Sequence, residues 1–219
     1  MSGVAPDGSP VDVYRALPLA CEDALVLEAV PPPATVLDLG SGPGRIANAL
    51  VRLGYDVTAV DDSPEMLRHV DGAEIVFGDV AGLRLGRRFD CVLLASNFVN
   101  DADDERRRAV LSTAAAHLDG GGSLVAESYP AGFDWDAAVG RESQRGAVTL
   151  RVVEAERKGD VVRATVAYEL RGQTWRQPFV ALMLDEAGIR AELAVAGLRF
   201  DRWLAADRGW FVAIPENAT

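Results

Sequence analysis

Four residues at alternate positions, Asp38, Gly40, Gly42 and Gly44, form a loop whose types and spacing could do chemistry. Glycines let a backbone approach a ligand closely, and a helix that follows such a loop offers free amide groups. A dinucleotide loop, G-x-G-x-x-G, would need glycine where Arg45 stands, and the Gly-Lys-Ser/Thr of a phosphate-binding P-loop is absent. Two further acids fall at comparable places, Asp61 after Val57-Thr58-Ala59-Val60 and Asp79 in Phe77-Gly78-Asp79-Val80. Carboxylates converging on one crevice would repel a pyrophosphate. They suit a ligand that carries a ribose diol, an amino group and a fixed positive charge. The plainer alternatives are a turn or cap residue at Asp61 and a turn aspartate at Asp79.

For these acids to meet, the chain must bring successive strands into one parallel sheet. Ala34 to Leu39 is a short apolar run between Pro31-Pro32-Pro33 and the glycine loop, and reads as a strand buried on both faces. Ile46, Leu50, Val51 and Leu53 then recur at helical spacing. Strands at 57–60, 74–77, 89–95 and 123–127 alternate with helices, including one led by Ser63-Pro64 and one over 102–117, with Gly120-Gly121-Gly122 as a turn. That alternation demands crossover connections and a doubly covered parallel sheet. Beyond Pro130 the period becomes two, through Val148-Leu150-Val152, Val162 to Leu170, and Trp175-Gln177-Phe179, with turns at Lys158-Gly159-Asp160 and Arg171-Gly172-Gln173. This predicts an antiparallel meander, followed by a helix over 184–196 and a closing hairpin of 198–204 with 210–214. The first ten residues are small and turn-forming, and read as mobile or as a flap that orders on binding.

Composition narrows the function classes. The 219 residues are 49% hydrophobic and 25% charged, enough for one core. Lys and Arg number 22 against 33 Asp and Glu, a net charge of -11, which argues against a nucleic-acid surface. Cys21 and Cys91 lie in apolar surroundings and read as two buried free thiols in a reducing cytoplasm; no Cys/His spacing suggests a metal site. No run approaches the roughly 20 apolar residues of a membrane span, and no secretory signal is visible. The expectation is a soluble cytoplasmic protein, monomer or homodimer.

Taken together, the motifs resemble the class I S-adenosylmethionine-dependent methyltransferases, in particular bacterial small-molecule enzymes. The resemblance rests on Val36 to Arg45, Val57 to Leu67, Gly78-Asp79-Val80, Phe89 to Leu93 and His117 to Gly122. It covers residues 12–128 and continues in outline to the end. It implies a Rossmann-like α/β fold with a seven-stranded, mostly parallel sheet, helices on both faces, and the meander inserted after strand five. The chain would be a single domain, 1–219, with residues 1–20 as an N-terminal flap and 131–181 as a substrate-covering insertion. It further implies that Gly40, Ser41, Gly42 and Gly44 pass the adenosyl and methionine parts, and that Asp38 orients the amino group. Asp61, with Asp62 as its ambiguous neighbour, would take the ribose hydroxyls. Met66 would lie on adenine, Gly78 and Asp79 would meet its amine, and Val80 would cover the ring. Ala95, Ser96 and Asn97 would line the methionine end, and Tyr14 would close over the sulfonium.

In-line transfer from a sulfonium needs positioning and exclusion of water more than it needs a charged catalyst. Where an acceptor must lose a proton, the ends of strands four and five supply Asn97, Asn100, Glu127, Ser128 and Tyr129. Glu127 or Tyr129 could relay that proton or simply orient the acceptor. His69 and His117 read as helix-end residues, and Trp175 and Phe179 as meander core. The acceptor is expected to be a small, partly apolar metabolite. The alternatives are a protein that binds S-adenosylmethionine for a cyclisation or decarboxylation, a non-catalytic partner subunit, and a nicotinamide-dependent reductase.

Overall fold

The computed structural model describes residues 3–130 and 132–217. The first two residues of the expected flap, and residue 131 at the start of the expected insertion, lie outside the described residues.

The main sheet has seven strands in the order β10-β11-β5-β4-β1-β2-β3. Its centre is β1 (Thr35–Leu39), which pairs in parallel with β2 (Asp56–Asp61) on one side and β4 (Phe89–Leu94) on the other. β3 (Glu74–Phe77) extends one wing and β5 (Leu118–Glu127) the other, both parallel. The chain order reverses at β1, so a crevice opens at the carboxyl ends of β1 and β4, the usual ligand position in such sheets. β10 (Leu198–Trp203) and β11 (Trp210–Pro215) form the anticipated hairpin, and β11 runs antiparallel to β5.

Both faces of β1 are buried because helices cover both. Leu37 and Leu39 pack with Val110, Leu111, Ile189 and Leu193, from α5 (Asp104–His117) and α7 (Glu186–Val195). Val36 faces the other way, onto Leu25, Val26, Ala47 and Leu50 of α2 (Glu22–Ala29) and α3 (Ala47–Arg52). Full burial of each such side chain contributes about 1.5–3 kcal/mol. Arg107, 1% exposed, ties α5 to α7 by pairing with Asp104 and Glu192 at 2.7 and 3.2 Å.

The meander has one strand more than the sequence suggests. β6 (Glu142–Arg145), β7 (Val148–Lys158), β8 (Val161–Leu170) and β9 (Gln173–Leu182) form an antiparallel sheet in that order. β6 is polar and fully exposed, so it carries no alternating pattern to read. The inward face of β8 has two halves. Tyr168 and Leu170 cover α1 (Val11–Ala16), while Val162 and Ala164 cover Trp135 of α6 (Trp135–Ala138), a one-turn helix also absent from the sequence reading. The meander therefore spans from the N-terminal helix to the exit of β5.

Two expectations need correction. Gly120-Gly121-Gly122 is strand rather than turn: β5 runs unbroken from Leu118, with a register irregularity against Phe89 and Cys91. A side chain at Gly122 would meet the Phe89 carbonyl oxygen at 2.9 Å, so the tight strand contact requires glycine there. Cys21 is exposed and only Cys91 is buried, because α2 starts at Glu22 and leaves Cys21 on its outer rim. Among the described residues no helix is long and apolar enough to cross a membrane.

Candidate cofactor and acceptor site

The parallel register brings the ends of β1, β2 and β3 to one edge, and with them Asp38, Asp61 and Asp79. Gly40, Gly42 and Gly44 all take left-handed φ angles, +75°, +55° and +74°, which side-chain-bearing residues rarely adopt. Gly40 and Ser41 donate their amides to the Val60 carbonyl, binding the loop to β2. The Phe98 ring lies against Gly40, where a Cβ would stand 2.5 Å from two ring carbons.

Asp38 is 1% exposed, and among the described residues neither of its oxygens has a hydrogen-bond partner; the Ser41 hydroxyl beside the loop is likewise buried and unpartnered. Burial, reinforced by the charge of Asp61, pushes the Asp38 carboxyl up to about 7. A buried, unsatisfied carboxylate next to a glycine loop fits an incoming ammonium group, which would supply both the missing charge and the missing donors.

Asp61 accepts from the Gly42 amide at 2.8 Å and the Ser63 amide at 2.9 Å, so it braces the loop as well as facing the crevice. Burial raises its affinity for a proton, against those two hydrogen bonds. Asp62 is raised too, by burial and then by the charges of Asp7 and Asp79. Asp79 is held below the usual carboxylate range in spite of its burial, because the Ala81 amide and the Arg106 guanidinium donate to it. Ser63 caps α4 (Pro64–Leu67) as its sequence suggests. Met66 is buried beneath Ala5, Val11 and Tyr14, so the N-terminal segment roofs the place expected for adenine. Val80 is buried in the main core cluster.

At the other end of the crevice, Glu127 closes β5 and accepts from the Ser96 amide at 2.7 Å. Ser96 and Asn97 are both left-handed, φ 67° and 58°, a sharp turn that brings the exit of β4 alongside Glu127. Ala95 is buried in the core beside them. Glu127 is raised by burial, more than the Ser96 amide lowers it. Tyr129 stands in an aromatic cluster, 5.3 Å from Trp135 and 6.1 Å from Phe179, where burial and the charge of Glu127 push its hydroxyl upward. Asn100 is not free for chemistry, since it accepts from the Tyr129 amide and donates to the Leu182 carbonyl. His117 is structural: it is buried, its Nδ1 sits 2.8 Å from the Thr113 carbonyl and its Nε2 accepts from the Leu85 amide.

The sequence leaves the role of Arg45 open between solvating a helix and bracing a local acid, and other site residues escape it. Arg45 donates to Glu22 at 2.5 Å and to the Pro18 carbonyl, holding Glu22 below its ordinary range despite burial. Phe98 and Arg106 have no signal beyond their types. Gln177 has one, as a polar residue at an inward position between Trp175 and Phe179. Among the described residues no cluster of three or more His, Cys, Asp or Glu is placed to hold a metal ion.

The sequence and the fold have known counterparts. Residues 36–122 match the family model of a methyltransferase domain. A cypemycin N-terminal methyltransferase from Streptomyces is 36% identical over 107 residues, covering 45% of this chain and 44% of that protein. The chain thus spans less than half the length of that curated relative. Streptomyces venezuelae DesVI matches 93% of this chain and 97% of its own, with TM-score 0.72 and 26% identity. CalS10 of Micromonospora echinaspora, an amino pentose methyltransferase solved with bound S-adenosylmethionine, matches 92% and 94%, with TM-score 0.70 and 25% identity.

Proposed function

We propose that this chain, whose residues 36–122 match a methyltransferase-domain model, is an S-adenosylmethionine-dependent enzyme that methylates a small molecule, and that the accepting atom is an amine nitrogen. The observation that carries the reading is the buried, unpartnered Asp38 carboxylate beside the left-handed glycine loop. The amine rests on the relatives, one named for a peptide N-terminus and one for an amino pentose. The negative charge of the chain supports a small or cationic acceptor over a nucleic acid.

Asp38 and Ser41 would hold the amino-acid end of the cofactor, Asp61 its ribose, and Asp79 with Met66 its adenine. When bound, S-adenosylmethionine supplies an electrophilic methyl group on a sulfonium. Glu127 would orient an acceptor amine and take its proton, and the burial that raises its proton affinity suits it to that role. Tyr129 and Asn97 would position the acceptor, and Tyr14 would help exclude water. Residues 132–181 cover that end of the crevice and would select the acceptor.

Thermal unfolding with S-adenosylhomocysteine, with NADH as comparison, tests this. At about 100 times its dissociation constant the product adds about 2.7 kcal/mol to the folded state, a shift of several degrees. Stabilisation by S-adenosylhomocysteine alone supports the reading, and equal indifference to both ligands removes it.

A further inference from the structure

β9 places Trp175, Gln177 and Phe179 on the inward face of the meander, opposite Tyr168, Val166 and Ala164. Trp175 packs with the N-terminal cluster and Phe179 with the Tyr129 cluster, so the single polar side chain of the row sits at their junction. A polar group turned toward a core costs stability unless it is satisfied, and Gln177 is satisfied from one direction, the N-terminal segment. Its Oε1 accepts from the Tyr14 hydroxyl at 3.3 Å, and its Nε2 donates to the Ser9 Oγ at 2.9 Å. Ser9, only 4% exposed, donates its hydroxyl to the Asp7 carboxylate at 2.6 Å.

The segment gripped in this way is the roof of the cofactor crevice. Residues 3–10 turn back on themselves, with Val4 bridged to Pro10 and the Val11 amide donating to the Gly3 carbonyl. Ala5 and Val11 then press on Met66. The Asp7 charge acts on Asp61 and Asp62, which places this turn over the end of the crevice expected to take the ribose.

We propose that Gln177 is a positioning residue that locks the roof over the cofactor to the sheet that covers the acceptor, so that one side chain sets how readily the cofactor leaves. The inference rests on the reading of this crevice as the S-adenosylmethionine site. With Gln177 in place the closed roof is the dominant state. Without its two hydrogen bonds, each contributing modestly, the open state gains population and bound ligand escapes through it.

The test uses the full chain with S-adenosylhomocysteine as probe, in wild type, Gln177→Met, Ser9→Ala and the double variant. Each single change is expected to speed release of the probe by about ten-fold, with the unliganded unfolding transition little altered, since the roof opens locally. The double variant is expected to release it more slowly than the two single effects combined would give, because both changes remove the same Gln177–Ser9 bond. Release at the wild-type rate in both single variants overturns the proposal, as do losses that add in the double variant. Should Gln177→Met fail to fold, the Ser9→Ala release rate decides the question alone. A wild type that does not bind the probe overturns the cofactor reading itself, an outcome distinct from wild-type and variant proteins that bind and release alike.

Discussion

Replacing Asp38 by asparagine should make the unliganded protein more stable at high pH while crippling cofactor binding. In the folded protein burial, reinforced by the charge of Asp61, pushes the carboxyl up from 3.8 to about 7, and among the described residues no donor offsets this. The folded state keeps a proton that the unfolded chain releases, so this group's contribution is fully present below about pH 4 and is lost as the pH climbs through 7. The span from 3.8 to about 7 corresponds to about 4 kcal/mol. Asparagine removes that term and leaves the cost of a buried amide, about 1–3 kcal/mol. At about pH 8 the variant should therefore exceed the wild type by about 1–3 kcal/mol, and near pH 5 the advantage should vanish.

Urea unfolding of both proteins across that range, without ligand, reads the difference directly. Binding has the opposite sign. Since an ammonium needs the ionised carboxylate, wild-type affinity for S-adenosylhomocysteine should fall by about ten-fold per pH unit below 7, a dependence the variant lacks. At about pH 8 the variant should bind about 10²–10³-fold more weakly. Parallel stability curves, or equal affinities at high pH, would refute the reasoning.

Asp61→Asn puts an amide group against a backbone donor at Gly42 or Ser63, and should weaken S-adenosylhomocysteine binding by about ten- to a hundred-fold in calorimetry. Gly40→Ala forces a side chain into a left-handed position 2.5 Å from the Phe98 ring. It should cost about 2 kcal/mol or more, read as a melting temperature lower by several degrees; an unchanged melting temperature would mean that the ring moves aside freely. Glu127→Gln preserves an acceptor for the Ser96 amide, so product affinity should stay close to wild type while turnover falls by about 10². Wild-type turnover would remove Glu127 from the proton path.

Much of this was legible because the signals were local. The run Thr35–Leu39 ends on a glycine loop, and Ser63-Pro64 announces a helix start, so the parallel sheet and the three acids at one edge follow from the alternation. What escaped depends on partners distant in sequence. The strand β6 has no apolar alternation and exists by pairing with β7. Gly120 to Gly122 look like a turn, yet β5 runs through them, with Gly122 close against the Phe89 carbonyl. Cys21 has apolar neighbours on the N-terminal side only, and a cap position leaves it exposed. Within the site, the acids could be named from spacing. The unpaired state of Asp38, the grip of Arg106 on Asp79 and the contact of Gln177 with Ser9, 168 residues away, could not.

The central claim is methyl transfer, and it is tested most directly by turnover with methyl-labelled S-adenosylmethionine and a panel of amino sugars and peptide N-terminal amines. The account predicts that an amine gains the label while S-adenosylhomocysteine appears in equal amount, and that Asp61→Asn suppresses both together. Consumption of S-adenosylmethionine without S-adenosylhomocysteine, or with the label in no acceptor, would contradict it.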